Sequence, residues 1–375
     1  MKVIVAHPGK QHSFHLVRQL YKHGLLHEFH TGIAYGKDSW MFKLISKLPN
    51  RYFVKLSGRI LEDVPDRYIK RYFFIELIAL LRMRMGQEEE HVFYHRNKRF
   101  QEKIKDKQLQ AVDVVIGFDT SSWILAQRCL LFGKKFVLDV SIAHPVSKDN
   151  VYRDIVQRYP DWKFSVKQKV HEHIAVEQAE MRLAHHIVVA SSFTLKTYVE
   201  QGVRESKISI NPYGVDFHAL KPIENKPLQE KIRLVFLGLV DARKGIPMLL
   251  EVWKKIKSLP LALTLIGPVS REMEEYISTH FPEVELKGKL PFHVVKTILP
   301  AYDVMVFPSF FEGFGLVVPE AMACGLPVLT TTATCGPDII EDRKEGIVIQ
   351  PGDELALVNA IQRFIDQPQL VHEMG

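Results

Sequence analysis

Eight short apolar runs recur along the chain at helix-length intervals. KVIVAH, VDVVIGF, KKFVLDVS and HHIVVAS fall in the first part, and IRLVFLGL, LALTLIG, YDVMVFPS and LPVLTT follow. Their apolarity is continuous rather than alternating, the pattern of strands covered on both faces, so parallel sheets flanked by helices are predicted. The expected fold class is α/β, with two Rossmann-like, doubly wound parallel-sheet domains. Turn residues and prolines interrupt the periodicity between Asn211 and Lys231. That interruption divides the chain into an amino-terminal domain at 1–212, a hinge at 213–230 and a carboxyl-terminal domain at 231–375. Ligands of open α/β sheets bind beyond the carboxyl ends of the strands, so two such domains are expected to face each other across a cleft.

A chain of 375 residues, 46% hydrophobic and 25% charged, is in the range of a soluble two-domain protein. The longest apolar stretch, YFFIELIALL from Tyr72 to Leu81, is about half a membrane span and carries Glu76, so no crossing is expected. The opening MKVIVAHPGK is too short for a signal-peptide core, and no export is expected. Three cysteines without a CxxC pair give neither a disulfide framework nor a structural zinc site, which fits a reducing cytoplasm. The net charge of +7 is concentrated: Lys37 to Arg84 holds eleven cations against five carboxylates. Those cations are interleaved with Trp40, Phe42, Tyr52, Phe53, Tyr72, Phe73 and Phe74, which suits a surface meeting anionic lipid headgroups. A solvated basic face over core aromatics is the competing reading. No RNA- or DNA-binding module is legible, so no nucleic-acid partner is expected.

The chemistry-bearing candidates sit in loops after strands. FFEGFG follows YDVMVFPS, and Pro319 and Gly325 bracket a short helix opening just after Gly313 and Gly315. Backbone N–H groups there would cradle an anion or a polar sugar. Glu312 and Glu320, eight residues apart, would accept hydroxyl hydrogen bonds at two points of one elongated ligand. Taken singly, Gly313 and Gly315 are better explained as turn glycines and Glu320 as a carboxylate complementing the helix dipole. Arg243 and Lys244 precede Gly245 and a helix, where two cations would suit a diphosphate. His144 ends the loop after FVLDVS, although a lone histidine is more often structural than catalytic. Gly9, Lys10 and His12 lie in the loop after the first strand, which has neither P-loop spacing nor a GxGxxG fingerprint. The pairs His91/His95, His171/His173 and His185/His186 lack a third ligand in sequence, and no Asp-x-Asp occurs, so neither a metal nor another cofactor is expected.

In order along the chain, SSFTLKTYVEQGV, ISINPYGVDFHALKP, VFLGLVDARKG, LTLIG, YDVMVFPSFFEGFGLVVPEAMACGLPV and GIVIQPGD resemble the GT-B glycosyltransferases of family four. The resemblance implies a GT-B fold and a retaining transfer of a hexose-type sugar from a nucleotide-diphosphate donor to a hydroxyl of a glycan or lipid-linked acceptor. The setting it implies is cell-envelope or exopolysaccharide synthesis, in the cytoplasm or at the inner face of the plasma membrane. It gives Glu312 the donor sugar hydroxyls and Glu320 the ribose. Phe314, Gly315 and Leu316 would offer backbone N–H groups, Arg243 and Lys244 would neutralise the diphosphate, and Leu290 would meet the base through its backbone. His144 would lie near the reacting anomeric carbon.

Three departures from the family pattern accompany it. Leu239 stands where many relatives carry arginine, and only Gly9, which the resemblance places among the donor-binding residues, stands where the first loop often has paired glycines. The chain also ends at QLVHEMG, before the family's final crossover helix. These departures keep open an inactive sugar-nucleotide-binding or scaffold protein as the alternative, beside an epimerase or phosphorylase of the same fold.

Overall fold

The computed structural model describes residues 1–39, 41–42, 58–166, 171–224, 226–227 and 229–375. Trp40, Tyr52 and Phe53 of the basic aromatic stretch lie outside the described residues. Residue contacts divide the chain into two units. The first comprises Met1–Ser141, Val170–Val188 and Ser206–Ser209, and the second Ile142–Lys169, Val189–Glu205 and Ile210–Gly375.

The amino-terminal strands are β1 (Val3–Ala6), β2 (Leu26–Thr31), β3 (Tyr35–Gly36), β4 (Ile60–Leu61), β5 (Ile69–Arg71), β6 (Val114–Phe118), β7 (Lys135–Asp139), β8 (His186–Val189) and β9 (Ile208–Ile210). Seven of them form one sheet in the order β5-β2-β1-β6-β7-β8-β9, and β3 pairs with β4. The central strand β1 is buried along its whole length and pairs in parallel with β6, Val3 opposite Val114. This is what VIVA dictates: four consecutive apolar residues are stable only where both faces of a strand are covered. Val3, Val5, Phe14, Val17, Phe29 and Phe118 close the core against the helix Ser13–Lys22.

In the second unit β10 (Ile232–Leu237), β11 (Leu261–Ile266), β12 (Glu285–Gly288), β13 (Val304–Phe307), β14 (Val328–Thr331) and β15 (Gly346–Ile349) form a sheet in the order β12-β11-β10-β13-β14-β15. Its pairs are parallel, with Leu234 opposite both Leu263 and Val304. The helix Ile246–Ile256, IPMLLEVWKKI, covers one face with an apolar side that includes Leu249, Leu250, Val252 and Trp253. All eight apolar runs read from the sequence are strands. The order reverses at β1/β6 and at β10/β13, so each unit is doubly wound and its ligand-bearing loops follow β1, β6, β10 and β13.

The segments 142–169 and 189–205, which the sequence reading put in the amino-terminal domain, group with the second unit. The reason is packing: Ile155, Tyr159, Trp162 and Ala190 are buried in the core built around β10 and β13. The stretch 213–230 also lies inside the second unit, and its described residues form no helix or strand.

Candidate functional site

The loops after β10 and β13 meet in the second unit. β10 ends at Leu237, and Gly238 to Lys244 lead into the helix Ile246–Ile256 through Gly245. That residue has φ +82°, and a Cβ placed on it would lie 2.0 Å from the Pro308 carbonyl oxygen. Only glycine fits both the left-handed backbone and the close pass of the neighbouring strand end. The tight turn puts Arg243 and Lys244 directly against the loop that follows β13.

There the two cations converge on one carboxylate. Glu312 Oε1 lies 3.0 Å from Arg243 Nη1 and 2.5 Å from Lys244 Nζ, and it accepts from Ser309 Oγ at 2.9 Å. Arg243 Nη1 also donates to the Phe311 carbonyl at 2.6 Å, and the Lys244 amide donates to Asp241 Oδ1 at 2.9 Å. Glu312, set in an otherwise apolar segment, thus finds its donors within the protein itself. All three charges are largely withdrawn from water, where an unpaired ion would be severely penalised and a network of pairs is tolerated. Burial lowers the Lys244 pKa more than Glu312 restores it. Arg243 is also buried, but attraction to Glu312 and Asp241 outweighs the desolvation and raises its pKa. Tyr152 is pushed up to about 12, mainly by burial, with Arg243 opposing the shift.

Around this cluster the segment 312–316 is strapped down from three sides. The Glu312 amide donates to the Ala333 carbonyl at 2.9 Å. The Gly313 carbonyl accepts from Ser191 Oγ at 2.6 Å and Thr194 Oγ1 at 2.9 Å, and the Phe314 carbonyl accepts from the Cys335 amide at 2.7 Å. With the carbonyls committed, the amides point elsewhere. Among the described residues, the N–H groups of Gly313, Phe314, Gly315 and Leu316 donate to no protein acceptor. Gly315 has φ +90°, and the helix Val317–Ala323 begins immediately afterwards. Consecutive unpaired amides beside two cations have the chemistry to receive an anion or a polyhydroxylated group. Glu312 Oε2, which receives no protein donor among the described residues, adds an acceptor to it.

The other candidates are placed separately. Glu320 lies on the helix Val317–Ala323 with no hydrogen-bond donor to its carboxylate among the described residues, and burial raises its pKa to about 7. Leu290 is half-buried after β12, and Leu316 is exposed. His144 caps the helix Pro145–Arg158: its Nδ1 accepts from the Val146 amide at 3.3 Å, and its own amide donates to Thr197 Oγ1 at 3.0 Å. Only 4% exposed, it has its pKa lowered to about 4 by burial, so it is a neutral ring whose Nδ1 is occupied. The Thr197 that holds it lines a cavity of 330 Å³ shared with Phe193, Phe310 and Phe311. Gly9 and His12 belong to the first unit, where His12 Nε2 is 2.8 Å from Asp139 Oδ1.

Sequence reasoning missed Ser309, Asp241, Ser191 and Thr194. Ser309 and Asp241 were visible as polar residues ending or following strands. Ser191 and Thr194 announce only a helix cap, and their second role needs Gly313, more than a hundred residues away.

With this geometry in view, residues 231–367 match the family model described as glycosyl transferases group 1. Among curated proteins, the chain is 28% identical over 177 residues to the putative colanic acid biosynthesis glycosyltransferase WcaL of Escherichia coli K12, covering 44% of each chain. The matched stretch spans about half the length of several such relatives. Among solved structures, sucrose-phosphate synthase of Thermosynechococcus elongatus superposes with a TM-score of 0.66 at 19% identity, covering 100% of this chain and 92% of that one. Anabaena HepE in complex with UDP and glucose gives 0.62 at 14% identity with the same coverages. These likenesses bear out the expected α/β GT-B fold.

Proposed function

We propose, because residues 231–367 match the family model described as glycosyl transferases group 1, that this chain transfers a sugar from a nucleotide-diphosphate donor to a hydroxyl of a glycan or lipid-linked acceptor. The observation that carries the reading is the pairing of Arg243 and Lys244 with Glu312 beside four unengaged amides. A diphosphate approaching those amides competes with Glu312 for the two cations. The released carboxylate then has both oxygens available for donor sugar hydroxyls. In this reading Glu320 accepts from the ribose, Leu290 meets the base through its backbone, and His144 borders the reacting centre as a neutral ring.

As the donor bond breaks, negative charge grows on the leaving phosphate, and Arg243 and Lys244 are positioned to stabilise it without reorganisation. The preference for retention at the anomeric carbon is taken from the family resemblance, with the departing phosphate receiving the acceptor proton. No metal is required by this scheme, because the two side-chain cations supply the positive charge. Relatives named for colanic acid and capsular polysaccharide biosynthesis support an envelope polysaccharide as the product class. We take the inner face of the plasma membrane as the place of action.

The test is nucleoside diphosphate release from a panel of donors with a glycan acceptor, for the full chain and for Lys244→Ala and Glu312→Ala. Both variants are expected to lose about 10²–10³ in rate. Turnover near the parent level in both would remove the site. Tight UDP binding with no sugar turnover under any condition would instead make the chain a sugar-nucleotide-binding protein.

A further inference from the structure

The first unit contains a second concentration of positive charge that the donor site does not use. Lys10 lies in the loop after β1, Arg18 on the helix that follows it, and Arg59 at the entrance to β4. Three separate elements bring these cations together beside the loop that leaves the carboxyl end of β1, the usual ligand position of such a sheet: a Cβ on Gly58, next to Arg59, would lie 3.4 Å from Lys10 Nζ, and Arg18 Nη2 is 3.4 Å from the carbonyl of Ile60, which follows Arg59. Their proximity is recorded electrostatically: besides partial burial, Arg59 and Arg18 both lower the Lys10 pKa. Arg59 also acts on His7 and on Arg96.

None of Lys10, Arg18 and Arg59 has a carboxylate within ion-pair distance among the described residues. Arg96, which Arg59 also influences, is itself paired with Glu76 at 3.6 Å.

Two of the three guanidinium and ammonium groups also leave buried donors unused. Among the described residues, Arg59 Nη1 and Arg18 Nε are withdrawn from solvent without a hydrogen-bond partner, although Arg18 Nη2 reaches the Ile60 carbonyl at 3.4 Å. Beside them His7, 5% exposed, has an unpartnered Nδ1, and burial holds its pKa near 3, so the ring is neutral. A protein fold does not gather like charges and unpaired buried donors without compensation. Three converging cations with spare donors suit an anion with several acceptor oxygens, and a phosphate, which arginine forks bind bidentately, meets that requirement.

We propose that Lys10, Arg18 and Arg59 form a phosphate-binding site in the amino-terminal unit, which receives a phosphate or diphosphate carried by the acceptor. The word acceptor rests on the glycosyl-transfer reading; the anion site itself does not.

The experiment is calorimetric titration of the full chain with inorganic pyrophosphate, using Lys10→Gln, Arg18→Gln and Arg59→Gln, each alone and in a Lys244→Ala background that weakens the donor site. Wild type is expected to show a binding event that survives Lys244→Ala and weakens about tenfold or more with each amino-terminal substitution. Melting temperatures without anion are expected to stay level or rise in these variants, since removing one of several repelling cations relieves strain. Pyrophosphate titrations that superimpose for wild type and all three variants overturn the proposal. So does a loss of anion-free stability in the exposed Lys10→Gln variant that accounts for its weaker binding.

Farnesyl diphosphate serves as a second probe. Binding tighter than pyrophosphate assigns the phosphate to a lipid-linked acceptor, whereas equal affinity assigns it to a free or sugar-borne phosphate. Because no donor sugar is present, failure here leaves the donor-turnover result untouched, and failure of turnover leaves this site standing.

Discussion

Glu312 and Glu320, so alike in sequence, are opposites in the folded chain. Glu312 is compensated by Arg243, Lys244 and Ser309, whereas Glu320 is desolvated without a protein donor. The sign of its effect follows. A carboxyl whose folded pKa is near 7 is favoured in its protonated form, so its contribution to stability is complete below about pH 4.3 and is lost as pH rises through 7. Glu320→Gln, which cannot ionise, is expected to remove this dependence. Between pH 4 and pH 8 the stability of wild type should fall relative to the variant by on the order of 2 kcal/mol, after allowing for partial solvent screening. Urea unfolding of both proteins across that range checks it, and parallel curves would show that Glu320 titrates as an ordinary surface acid. The two carboxylates were legible as a pair of candidates in the sequence. Which one is paired was not, because Arg243 and Lys244 approach Glu312 only through β10 lying beside β13.

At the scale of elements, legibility followed apolarity. The eight strands with continuous apolar runs were visible because burial on both faces leaves no other pattern. β2, LHEFHT, was not, since three of its six residues are His27, Glu28 and His30. Its polar groups are satisfied from a distance: the buried His30 ring bonds Glu28 Oε2 at 3.0 Å and the Tyr72 hydroxyl at 2.8 Å, while Lys70 on β5 lies 3.4 Å from Glu28. Only the pairing with β5, some forty residues further along the chain, makes that segment an interior strand rather than an edge. The turn after β10 shows the reverse case, where one residue type is demanded locally. Gly245→Ala combines a left-handed backbone with a collision against Pro308, and is expected to cost about 3 kcal/mol or more. Gly214→Ala, at a position with nothing within 4 Å of the added methyl, is expected to be neutral within about 0.5 kcal/mol. Thermal unfolding of the two variants side by side distinguishes a required glycine from an incidental one; equal losses would contradict the turn geometry.

At the scale of the molecule, the surface of the first unit carries an inverted helix. Along Phe73–Arg84 the buried residues are Glu76 and Ala79, while Phe73, Phe74, Leu77, Ile78, Leu80 and Leu81 face outward and Phe74 is 77% exposed. Arg82 and Arg84 close its last turn. No described helix is long and apolar enough to cross a membrane. An outward apolar face rimmed by arginine instead suits the headgroup boundary of an anionic bilayer. Phosphatidylglycerol-containing vesicles are therefore expected to co-sediment with the protein in a salt-sensitive way. Phe74→Asp together with Leu81→Asp should abolish this while leaving the fold intact by circular dichroism. Equal recovery with neutral and anionic vesicles would count against this surface.

The sequence by itself determined the α/β class, the parallel sheets and the loops worth inspecting, because burial on both faces and helix-opening glycines are written in contiguous residues. Tertiary structure alone decided which unit the segments 142–169 and 189–205 join, and that the carbonyl of Gly313 is held by Ser191 and Thr194. It also decided that Lys10, Arg18 and Arg59 come together with no carboxylate at ion-pair distance among the described residues. These are long-range matters. A charge or a carbonyl is satisfied by whatever the fold brings within 3–4 Å, and no local pattern of polar and apolar positions encodes that partner.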